Sequence, residues 1–315
     1  MLDSLRFCRM LRNSGIYENH RELLIAAACG LCSAFLFVLG FFGGFFASVV
    51  LCFAFLSYGK LVGIVSSTIT FAVIVLLNSG IALEALCVDI IPTAVVGYSL
   101  LRNIKTNGKI WWYPESFVLR DLVLVSLLLL VLMSITTYSE VSVRNRVDDV
   151  VRLIIAANAS IDPQGLAVLL KLGTKYFLGL TVFANVTDVI SSFLIAHSIC
   201  KYRKKNIRPS FDTYNISISP LLAVFPLVAL TVSFACEGLS YLFNGLAIAS
   251  LVAPLMSGLS IVHFFANGGK YSQIILVMFY LMLLLMCPLV LLSVVLLGAI
   301  DSFYAIRPLF RTESM

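Results

Sequence analysis

Between Leu23 and Gly298 the chain is written almost entirely in apolar stretches long enough to cross a bilayer, separated by short charged punctuation. A hydrocarbon layer about 30 Å thick takes roughly 20 apolar residues in a helix rising 1.5 Å per residue, and the chain offers about nine such runs. Lipid supplies no partners for backbone N–H and C=O groups, so each run must satisfy them internally, as a helix. The alternating segments of a membrane barrel are not what is written here. The fold class that follows is all-α, a polytopic transmembrane helical bundle with about eight to nine spans.

Composition excludes the competing classes. With 60% hydrophobic and 12% charged residues, 315 residues cannot hide their apolar surface in a soluble core. The net charge of +6 sits mainly in the connections between runs, which is a topology signal and not a phosphate-binding face, so no nucleic-acid partner is expected. The eight cysteines lie mostly in or beside apolar runs, Cys8 in the N-terminal arm and Cys200 at a helix end, and imply no disulfide framework.

Residues 1–22 form a basic arm, read as cytoplasmic and as leading into an uncleaved first span. Spans one to five occupy 23–137, an extramembrane amphipathic loop 138–171, spans six to nine 172–300, and a tail 301–315. The Gly43-Gly44 pair is expected to break what would otherwise be one overlong first helix. Pro92 interrupts the fourth run, and Trp111, Trp112 and Tyr113 mark a headgroup boundary. In the loop, Val147, Val150, Val151, Ile154 and Ile155 recur at helical spacing among charges, which suits a helix lying on the membrane or capping the bundle. Asp162-Pro163 reads as a second short helix start.

With the N-terminus inside and nine spans, fifteen Lys and Arg fall on the inner side and seven on the outer. The expected location is therefore the bacterial inner membrane, multi-pass, with a cytoplasmic N-terminus. Arg307 and Arg311 in the tail prefer the cytoplasm, so either the first two runs or the last one is miscounted.

Ionisable groups inside spans are costly, by about 2.5–3.5 kcal/mol on insertion scales, and are functional-site candidates by default. Asp188 stands in the sixth run with Asn185 three residues before it on the same helical face, Thr181 further back and Thr187 adjacent. Glu84 and Asp89 occupy the fourth run, five residues apart and so about 140° apart on an α-helix. Pro92 follows Asp89 by three residues and frees a backbone carbonyl, a pattern found at transporter midplane sites. Asp188 has an alternative role as packing glue between helices, Glu84 sits close to the Asn78-Ser79-Gly80 break where water can reach it, and the Pro92 kink has an alternative role in packing alone.

His197 and His263 lack ligand-spaced neighbours, so no metal site is expected, and Cys29 and Cys32 read as small packing residues. No G-x-S-x-G, H-E-x-x-H, P-loop or dinucleotide fingerprint occurs, so neither an enzyme nor a cofactor is expected.

Several features in order resemble the alphaproteobacterial type of the YybS-like predicted membrane proteins, a bacterial family of unknown function. They are Gly30 before the Phe-rich turn, Gly59 to Gly63, the Pro92 helix, Trp112-Tyr113-Pro114, Asn244, Gly258-Leu259 with His263, and Gly298-x-x-Asp301 with Arg307. That family is similar in fold to the substrate-binding membrane subunits of energy-coupling-factor transporters, and the resemblance implies a bundle that holds a small molecule. This chain has more spans than those subunits, and Ala26-Ala27-Ala28 is its one candidate for their small-residue docking motif. The expectation is a transporter-like bundle that binds or moves a small solute through Asp188, Asn185, Asp89 and Glu84. The rival is a non-transporting scaffold or envelope-assembly partner that engages a membrane protein through 138–171.

Overall fold

The computed structural model describes residues 15–106, 108–136, 138–145, 147, 149, 163–208, 214, 216–267, 272–304, 306 and 307. The chain divides into two compact units, Met1–Tyr113 with Asp188–Pro209, and Pro114–Thr187 with Ser210–Met315. Seven helical segments among the described residues are long and apolar enough to cross a membrane, and three apolar helices are shorter. The chain is a multi-pass helical membrane protein.

The first unit opens with α1 (Gly15–Val38), α2 (Phe41–Tyr58) and α3 (Lys60–Leu77), joined by one- and two-residue turns. Gly40 and Gly59 take φ of 94° and 98°, backbone conformations that a side chain disfavours, and these are the helix breaks. The expected break at Gly43-Gly44 is corrected: both lie inside α2. Gly43 serves close approach instead, since a Cβ there would sit 1.8 Å from the Leu36 carbonyl oxygen. The core of this unit is the fully buried Phe55 ring, which faces Gly63 of α3 on one side. On another it meets Gly97 of α5 (Ile91–Leu100).

Before α5 come α4 (Ser79–Ala85) and a five-residue π-helical turn, Leu86–Ile90. A two-stranded antiparallel hairpin follows, β1 (Asn103–Thr106) and β2 (Lys109–Trp112), with Gly108 at φ 74° in its turn. Hydropathy gave no sign of these strands. The Pro163 start is present, but it opens the 40-residue α7 (Pro163–Tyr202), so the separate short helix expected before the sixth run is the first part of that same helix.

The second unit holds α6 (Glu115–Ile135), the first part of α7, α8 (Pro220–Ala235), α9 (Ser240–Ser250), α10 (Val252–Ala266), α11 (Ser272–Leu285) and α12 (Cys287–Tyr304). The ninth apolar run is two helices because Pro288 cannot donate into the preceding turn. Helix α11 is apolar and buries no residue within the chain, as suits a lipid-facing helix. Two glycine pairs set the crossings. A Cβ on Gly179 of α7 would meet the Gly245 carbonyl oxygen of α9 at 2.7 Å, and one on Gly298 of α12 would meet the Pro254 carbonyl oxygen of α10 at 1.9 Å. Close backbone approach of this kind is how helices gain dispersion contact where lipid removes the hydrophobic drive.

Because nothing at the Gly298 crossing can yield except backbone, Gly298→Ala should force α10 and α12 apart and cost about 1–3 kcal/mol. Thermal unfolding in detergent should show a lowered midpoint for Gly298→Ala and little change for Gly173→Ala, where nothing lies within 4 Å of the added methyl.

Candidate acidic site in the first unit

Asn78 ends α3 in extended conformation, and its side chain accepts the Gly80 N–H at 3.1 Å, so the chain reverses and restarts as α4. Downstream, Pro92 cannot supply the N–H that an uninterrupted α-helix would aim at Val88. The preceding turn widens, and the Ile91 N–H bonds to Leu86, five residues back. Asp89 lies inside this π-turn, a form of helix that recurs at functional sites.

The second part of α7 enters the first unit at Asp188. It runs alongside α2 in the same direction: Ser192 Oγ donates to the Phe45 carbonyl at 3.1 Å, and Cys200 Sγ lies 3.0 Å from Ser57 Oγ near the far end. Helix α5 also runs with α2, through Thr93 Oγ1 donating to Ser48 Oγ at 3.3 Å and Gly97 against Phe55. Thirteen residues separate Asp89 from Arg102 and Asp188 from Lys201, so two helices ending at the same face carry their acids at matching depth, about 20 Å along the axis.

Asp188 and Glu84 both lie within electrostatic reach of Asp89. All three side chains are partly buried. Among the described residues, neither Asp89 nor Asp188 forms a hydrogen bond or an ion pair. The π-turn also changes the expected relation of Glu84 to Asp89, because a five-residue hydrogen-bond step brings residues five apart nearer to one face than an α-helix does. Three of the four expected site residues are thus brought together.

Asn185 stands apart from that group. It is one turn before Asp188 on α7, in the part of the helix assigned to the second unit, and its Nδ2 is buried without a hydrogen-bond partner among the described residues. The expected polar stripe is shorter than read: the Thr181 and Thr187 hydroxyls turn back to Phe177 and Phe183 carbonyls of their own helix, each at 2.9 Å. Among the described residues no group of three or more His, Cys, Asp or Glu is placed to hold a metal ion.

Thr93 and Ser192 were not singled out from the sequence. Each follows its acid by four residues, on the same helical face, and each makes the inter-helix hydrogen bond that sets the level of that acid. The signal was present as a repeated Asp-x-x-x-Thr/Ser spacing.

Missed as a structural pair was Asp301 with Arg307 in the second unit, 3.1 Å apart and almost wholly buried. Asp301 also accepts the Ile306 N–H, while Arg307 donates to the carbonyls of Ile216 and Ser257. The Ile216 N–H in turn donates to Ser260 Oγ at 3.1 Å.

Much of the expected docking loop, residues 150–162 with the Ile154-Ile155 face, lies outside the described residues. Its start is tied down within the second unit, where the Tyr241 hydroxyl donates to the Tyr138 carbonyl at 3.1 Å.

The model of a family described as predicted membrane protein, DUF2232, matches residues 24–302, and the chain belongs to that family. No curated protein and no solved structure matches the chain.

Two measurements check this geometry. In a background with the native cysteines replaced, Ser48→Cys with Thr93→Cys should oxidise to an internal disulfide, seen by mass spectrometry as loss of two maleimide-reactive thiols. Persistent free thiols would contradict the α2–α5 register. In the second unit, Asp301→Ala should cost about 3–5 kcal/mol in unfolding experiments by stranding the buried Arg307, and Asp301→Leu with Arg307→Met should cost clearly less.

Proposed function

We propose that this member of the DUF2232 family is a transporter-like membrane protein that binds or moves a small, positively charged solute or a proton. Asp89 and Asp188 receive the charge, and Glu84 lies about one helical turn nearer the Asn78 end. One observation carries the reading: two span-borne carboxylates from segments far apart in sequence lie at matching depth within electrostatic reach of each other, with no cationic partner beside them among the described residues.

The physical argument is one of cost. A carboxylate in a span is expensive, and two that repel each other are more so, unless a positive charge comes between them. Had the acids served only as glue, each would be expected to hydrogen-bond a neighbouring helix, as Thr93 and Ser192 do beside them. The π-turn at Asp89 and the proline after it loosen the backbone there, as in the interrupted helices of solute-carrying proteins. An open arrangement of three carboxyls suits a proton or an organic cation better than a tight cage for a bare metal ion.

The test uses the whole chain in proteoliposomes, with entrapped pyranine reporting proton flux and radiolabelled guanidinium as the organic-cation probe. One of the two should move, and Asp89→Asn combined with Asp188→Asn should lower its rate at least about tenfold, the equivalent of losing roughly 1.4 kcal/mol of charge interaction. Undiminished flux in a correctly inserted double variant, or no flux of either probe with the native chain, would remove the proposal.

A further inference from the structure

The far ends of α2, α5 and α7 meet at a surface of one sign. Residues 56–60, 98–113 and 200–208 carry nine Lys and Arg and no Asp or Glu. They are brought together by backbone and ring contacts within the first unit. The Ile207 N–H donates to the Leu56 carbonyl at 3.2 Å, and the buried Arg208 donates to the Leu100 carbonyl at 3.2 Å.

Aromatic rings hold much of the charge in place. Lys60 lies over Tyr98 at 4.7 Å, Arg102 over Tyr113 at 4.6 Å, Lys205 over Tyr58 at 5.6 Å and Arg208 over Trp112 at 6.0 Å. Lys105, Lys109, Lys201 and Lys204 are exposed and engage no ring or acid among the described residues.

The hairpin presents two different faces. Trp112 meets Arg208, and because side chains alternate along a strand, Trp111 and its cross-strand partner Ile104 point the other way. There they are 64% and 70% exposed, on the face that by the same alternation carries Lys109. A large indole and a branched aliphatic side chain kept on the outside, in a hairpin that also carries the exposed Lys105 and Lys109 and follows directly on the membrane-length segment Ser79–Leu100, match the layer where acyl chains give way to headgroups.

We propose that this basic, aromatic end of the first unit is a binding surface for anionic phospholipid headgroups. Ile104 and Trp111 enter the acyl boundary, and Lys105, Lys109, Lys201 and Lys204 contact headgroup phosphates. Lipid is favoured over a soluble polyanion because two membrane-length segments, Ser79–Leu100 and Gly173–Tyr202, end at this surface and a third, Lys60–Leu77, begins there, so it lies where a headgroup layer must be. The inference is independent of solute movement.

The only two tryptophans of the chain are Trp111 and Trp112, so intrinsic fluorescence reads this hairpin directly. With the whole protein in phosphatidylcholine vesicles, a small fraction of brominated phosphatidylglycerol should quench more strongly than the same fraction of brominated phosphatidylcholine. Trp111→Phe should remove most of the difference. A single Lys→Gln change among the four lysines should lower the relative association constant roughly fivefold at low salt, and all four together should abolish the preference. Replacement of the four by Arg should retain it. Equal quenching by the two lipids with the native chain, or a preference that survives the fourfold Gln change, would overturn the proposal. So would a short oligonucleotide that displaces the anionic lipid at equal phosphate concentration.

Discussion

Helices in a bilayer gain nothing by hiding oil from oil, so what holds them together is how closely their backbones can approach. This constraint explains where the glycines of the chain are needed. Phe55 is buried because Gly63 and Gly97 leave room for its ring. Gly179 with Gly245, and Gly258 with Gly298, let helix backbones touch without side chains between them. The same closeness makes small hydroxyls useful, since Ser33 reaches the Ala47 carbonyl and Thr70 reaches the Gly30 carbonyl only where two helices nearly abut.

Close approach also governs which polar groups are satisfied. Most Ser and Thr side chains in the spans return to a carbonyl of their own helix, as Ser66, Thr187 and Ser293 do, and so add no polarity to the surface they face. Against that background the carboxyls of Asp89 and Asp188 are exceptional. A carboxylate only accepts hydrogen bonds, and a helix interior offers no free N–H, so these groups cannot be quieted by their own helices as hydroxyls are. Their need must be met by a neighbour, a proton or a bound cation, and this makes their mutual proximity chemically consequential.

The membrane class, the helices and the location of the acids were legible because bilayer thickness and the cost of buried charge act on single residues and short windows. Details set by backbone dihedrals were not. Gly40 and Gly43 look alike in the sequence, yet one turns the chain at positive φ while the other lies inside a helix where a Cβ would collide with the Leu36 carbonyl. The hairpin escaped notice because Lys105 and Lys109 gave it the look of a basic loop, although Asn107-Gly108 is a recognisable turn pair. The π-turn was half legible: Pro92 announced a disturbance, but whether a helix kinks or widens before a proline depends on its neighbours.

What joins these observations in the first unit is a shared vertical register. Three helices run the same way and stop at one basic face, and each is pinned there by hydrogen bonds: the Ile207 N–H to the Leu56 carbonyl, the Arg208 guanidinium to the Leu100 carbonyl, and Ser57 with Cys200. Once the ends are level, helix rise alone carries Asp89 and Asp188 to one depth. A one-residue insertion between Asp188 and Lys201 would turn the acid about 100° around its helix and move it only about 1.5 Å along it. The pairing therefore depends on helical phase more than on depth, and phase is what the hydrogen bonds of Thr93 and Ser192, one turn from each acid, hold in place.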